Sequence, residues 1–117
     1  MGESGATFDV DRAAGVIVGL SAGDLNLGPT EMVLLTAESM IERQRFDIDD
    51  VVARWLAWWR QGAWDTGRVF DSVMRMVDAG YPFAVAAEQV DAELGGLTAG
   101  CNGAHRVPAL AACADLA

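Results

Sequence analysis

Apolar residues recur along this chain at intervals of three and four, in blocks separated by glycine, proline or acidic residues, and the blocks read as helices. Residues 1–8 read as a flexible lead-in, followed by one helical domain over 9–117. Asp9 or Asp11 can cap a first helix running to about Gly23, since an aspartate accepts from the unpaired amides of a first turn. Gly15, Gly19 and Gly23 fall on one face of it. Each costs about 1 kcal/mol relative to alanine, so either another helix packs close against this stripe or the glycines are tolerated in a buried helix. Gly28 and Pro29 then break the chain. Thr30 follows as the N-cap of a second helix to about Gln44, with Met32, Val33, Leu34, Leu35, Ala37, Met40 and Ile41 apolar and Glu38, Glu42 and Arg43 on the wet side.

The third helix has the strongest start signal. Asp47 caps it, Asp49 and Asp50 occupy its first turn, Phe46 is placed to staple onto Val51, and Gly62 stops it. Trp55, Trp58 and Trp59 share a broad face with Val51 and Val52 while Arg54 and Arg60 look elsewhere. Core packing explains that face; a partner surface or a base-stacking platform is the alternative. Asp65 or Thr66 opens a fourth helix with Val69, Phe70, Val73, Met74 and Val77 at helical spacing, closed by Ala79-Gly80-Tyr81-Pro82. A fifth runs from about Phe83 to Leu94 and ends at Gly95-Gly96. A glycine-rich loop then leads to a short last helix with Pro108 in its first turn. No stretch alternates like a strand, so the fold class is all-α, a compact bundle of about five to six helices.

Charge narrows the function classes. Seventeen acidic and eight basic residues give a formal charge of -9, with no lysine and the arginines scattered, which argues against nucleic-acid binding because affinity there rests on neutralising phosphates. The run from Ala13 to Gly23 is too short to span a membrane. Cys101 and Cys113 have no metal-binding spacing, and the start of the chain has no basic leader. The expectation is a cytoplasmic protein with ordinary thiols.

Chemistry-bearing motifs are scarce. His105 is the only histidine, too little for a catalytic triad or a multi-histidine metal site; in its glycine-rich loop it reads as a solvated or packing residue or as a lone acid-base group. Phosphate-cradling glycine motifs are absent. Asp49 and Asp50 are explained by helix capping.

Five ordered segments add a resemblance. DRAAGVIVGLSAGD at 11–24, PTEMVLLTAESM at 29–40, FDIDDVVARWLAWWRQG at 46–62, WDTGRVF at 64–70 and GLTAGCNGAHRVPALA at 96–111 together resemble the ADP-ribosylglycohydrolase family, in the order that family uses. The resemblance implies an all-α hydrolase that cleaves ADP-ribose from a modified side chain, or a related ribosyl compound, with two magnesium ions held by aspartates. Magnesium takes oxygen ligands and can activate water beside the ribosyl carbon.

The carry-over leaves a poor metal site. Where the family has Thr-Asp-Asp-Thr, this chain reads Leu27-Gly28-Pro29-Thr30, and the family's later aspartate cluster falls beyond Ala117. The resemblance therefore implies no metal ligands here and no cofactor. What it leaves is a ligand surface of Thr30, Asn102, Gly103 and Arg106, from the family's Gly-Asn-Gly loop and its following arginine. Asn102-Gly103 is equally a tight turn. Matching only the N-terminal part of a family member also implies uncovered apolar faces, hence a dimer or a protein partner. Three functions follow as expectations. The first is a shortened relative acting by binding a protein or an ADP-ribose-type ligand and not by hydrolysis. The second is a small acidic inhibitor of a host or toxin protein. The third is a residual magnesium-dependent hydrolase with Asp24, Glu31 or Asp65 as rebuilt ligands.

Overall fold

The computed structural model describes residues 10–24, 28–63, 66–97 and 107–112. Among them lie six α-helices and no strand: α1 Val10–Asp24, α2 Gly28–Arg43, α3 Ile48–Arg60, α4 Arg68–Asp78, α5 Phe83–Glu93 and α6 Val107–Ala112. The all-α expectation holds. The lead-in over 1–8 lies outside the described residues.

The architecture follows from α2 having buried positions around most of its circumference. It packs on α3 along one side and on α1 and α6 along another, while α3 continues to α4 and α4 lies along α5. Two cores result. On the α3–α5 side, Met32 joins Val51, Val52, Trp55, Phe70, Val73, Met74, Ala86 and Val90. The Trp55 ring stands edge-on to Phe70 at 5.8 Å and to Phe83 at 6.4 Å, the arrangement favoured by the quadrupoles of aromatic rings. Its indole N–H donates to the Met32 carbonyl at 3.4 Å. On the opposite side Ala37, Met40 and Ala112 form a small second core, with Ala13 and Ile17 against it.

Trp55 is thus a core residue, and Trp58 and Trp59, partly buried, pack against the same cluster.

Local chemistry sets the helix ends. Asp47 caps α3 as expected, accepting from the Asp50 amide at 3.2 Å. Phe46 stays 43% exposed while Val51 is fully buried. After α4 the Tyr81 amide donates to Met76 across Gly80 (φ 106°), and after α5 the Gly96 amide donates to Asp91; both closures need a residue in the left-handed region, where glycine is unstrained. At the end of α2 that conformation falls instead to Gln44 (φ 56°), whose side-chain amide donates to the Ile41 carbonyl at 2.6 Å.

Four expectations are corrected. Gly28 and Pro29 do not break the chain ahead of a Thr30 cap; they form the first turn of α2, and both are buried. Proline suits that turn because its missing N–H would be unpaired anyway and its φ is already helical. A Cβ placed on Gly15 or Gly19 would meet nothing within 4 Å, so none of the described helices packs close on those glycines; α1 turns Ala13 and Ile17 inward instead. Leu34 and Ile41 are 39% and 57% exposed, because the sides of α2 taken by its neighbours leave these two with the glutamates. Finally, α4 starts after Gly67 with no side-chain cap, and the Thr66 hydroxyl donates to Asp71 instead; Asp65 lies outside the described residues.

Candidate functional site

Of the residues singled out by sequence, Thr30 and Glu31 lie in the first turn of α2, the helix against which α1 and α6 pack. Thr30 is buried, 3% exposed, and is not without a partner. Glu31, next to it, points to solvent. Asp24 is the last residue of α1. Asn102, Gly103 and Arg106 lie outside the described residues, as does His105.

Gly28 and Pro29 bring no side-chain oxygen to this place. Magnesium demands six oxygens in near-octahedral order, commonly with one or two carboxylates among them. Among the described residues no group of three or more histidine, cysteine, aspartate or glutamate side chains is arranged to hold an ion.

The densest polar cluster lies elsewhere, between α2 and α3. Asp50 accepts from the fully buried Ser39 hydroxyl at 2.5 Å, from Arg54 Nε at 2.8 Å and from Arg43 at 3.1 Å. Arg54 in turn holds both Glu42 oxygens at 3.0 and 3.2 Å and approaches Glu38 at 3.9 Å. The Ser39 hydrogen bond, then those from Arg54 and Arg43, keep the Asp50 carboxyl well below the usual carboxylate range. Sequence reasoning assigned Asp50 to capping and missed this role. The Asp50–Arg54 spacing of four was a readable signal; Ser39 is brought in only by the packing of α2 on α3. With donors on both helices satisfied by a single carboxylate, the cluster works as a clasp between two helices.

A second, smaller node fixes α4. Asp71 Oδ1 accepts from the Trp59 indole at 3.2 Å and from the Thr66 hydroxyl, tying the segment before α4 to α3.

No helix among the described residues is long and apolar enough to cross a membrane. No curated protein and no solved structure matches the chain. A family description does: ADP-ribosylglycohydrolase, over residues 28–117. The match begins at Gly28, so it leaves the Asp11–Asp24 segment outside and takes in the four later segments noted in the sequence. With most of its length covered and a helical fold that agrees, the chain belongs to the ADP-ribosylglycohydrolase family.

Proposed function

We propose that this is a member of the family that acts by binding, through a protein partner or an ADP-ribose-type ligand, and not by hydrolysis, in the cytoplasm. The observation that carries the reading is the identity of Gly28 and Pro29 in the buried first turn of α2, ahead of Thr30 where the family's resemblance calls for two aspartates. Neither can ligate through a side chain, and no group of three or more metal-ligating side chains stands among the described residues to replace them. The described residues therefore do not offer the carboxylates that a magnesium pair takes.

The test is calorimetric titration of ADP-ribose with and without magnesium, paired with an assay for ADP-ribose release from an ADP-ribosylated protein. Any ADP-ribose binding is expected to be indifferent to magnesium, with no release. Magnesium-dependent release that disappears in Asp24→Asn or Glu31→Gln would overturn the reading in favour of a residual hydrolase.

A second reading, a small acidic inhibitor of another protein, is supported by the formal charge of -9; Trp55 is buried, while Trp58 and Trp59 keep part of their surface outside the core.

A further inference from the structure

The outer face of α2 combines exposed apolar residues with a row of carboxylates. Leu34 and Ile41, one heptad apart, are 39% and 57% exposed and share a side of the helix. Beside them on the helix run Glu31 and Glu38, also a heptad apart, and Glu42 one turn further on, all exposed. The Glu38 and Glu42 carboxylates remain 62% and 57% exposed although Arg54 reaches both. Just beyond, Phe46 and Ile48 are 43% and 42% exposed and Asp49 is exposed with them.

We infer that this face is a docking surface for a basic amphipathic helix of another protein, one carrying apolar residues at heptad spacing flanked by lysine or arginine. Apolar knobs at positions 34 and 41 are what a partner helix packs between. The glutamate row decides which partner. A second copy of this chain would bring its own row of carboxylates against the first, whereas a basic helix finds opposite charge along its whole length. The net charge of -9 steers such a partner in from a distance. Arg54 adds a physical advantage: by holding Glu38 and Glu42 against α3 it restricts two long side chains before binding, so less freedom is lost when the partner arrives.

The outer face of α1, with Val10 and Val18 about two-thirds exposed at 66% and 65%, has no comparable charge pattern and selects no occupant. The inference rests on the reading of this domain as a binding protein. It names the partner for a face of α2 that ADP-ribose titration does not probe, so the two fail separately.

The probe is a synthetic helical peptide of leucines at heptad positions with lysine flanks, titrated into the isotopically labelled full chain, with a leucine–glutamate peptide as control. The expected result is micromolar binding, with amide shifts concentrated over residues 31–49 and none from the acidic control. Ile41→Asp and Leu34→Asp should each weaken binding at least tenfold. Both positions are exposed, so an unchanged melting curve shows that the fold is intact. Glu31→Gln with Glu38→Gln should weaken it several-fold and lower its salt dependence, while Glu88→Gln with Glu93→Gln on α5 should leave it alone. Equal loss from the α5 pair, shifts centred on α5, or binding indifferent to Ile41→Asp would reduce the effect to general attraction between opposite charges and overturn the inference. A wild-type dimer in sedimentation that Ile41→Asp dissolves would overturn it too, since the occupant would then be a second copy.

Discussion

The two sides of α2 are held in different ways. Toward α3, α4 and α5 the core is large and shaped, with Trp55, Phe70 and Met74 buried together and a charged clasp closing the α2–α3 seam. Toward α1 and α6 the core among the described residues has fewer large side chains, with Met40 set among Ala37, Ala112, Ala13 and Ile17. Buried apolar area sets most of the stabilisation, at about 25 cal/mol per Å², and among the described residues more of it lies on the α3–α5 flank of this helix. The lesson is that a helical domain of this length need not melt as one body, even when a single helix belongs to both of its cores.

The sharpest test of that asymmetry is Trp55→Ala. Removing a buried indole, two ring contacts and a hydrogen bond should cost about 3–5 kcal/mol and shift the whole denaturant transition, read by circular dichroism. Met40→Ala, at about 2–3 kcal/mol, should behave differently. Hydrogen exchange should speed up in α1 and α6 while α3–α5 amides keep their protection; uniform acceleration would erase the distinction between the flanks.

Ser39→Ala removes a buried donor to a carboxylate and should cost about 1–2 kcal/mol in chemical denaturation. Acid titration checks the same clasp. Asp50 has its carboxyl held below its ordinary value, so its contribution is fully present above the unfolded pKa of about 3.9. It is lost as pH falls below that point toward the folded value. Asp50→Asn should therefore flatten the stability curve below about pH 4 and lower its neutral plateau. The smallest effect has the opposite sign: Gly19→Ala, in open space within α1, should stabilise by up to about 1 kcal/mol, seen as slower exchange in α1.

Much of the fold was legible because its punctuation is local. Asp47, Gly62, Gly80 and Gly95-Gly96 each carry their own reason to start or stop a helix, and the Trp55 face followed from spacing. What was not legible depended on neighbours. Pro29 reads equally as a break or as a first-turn residue until the helix around it exists. Leu34 and Ile41 look like core until α1, α3 and α6 have taken the other sides of α2. The glycines of α1 suggest a close neighbour, and none of the described helices is one. The Asp50 clasp needs Ser39, which periodicity cannot associate with it. Of the site, Gly28-Pro29 was readable as a departure from the family pattern, while the burial of Thr30 depends on the helices packed around it.

The contact of α1 with α6 has one more consequence, for the order of folding. These helices come from opposite ends of the described chain, and bringing them together closes a loop that contains everything between. Closing a long loop costs entropy that only later contacts repay. A hairpin of α2 and α3, joined by the short turn at Gln44 and tied by Asp50, closes cheaply and is expected to form early. The first and last helices are then expected to dock on a scaffold already standing, as the late and reversible step of assembly.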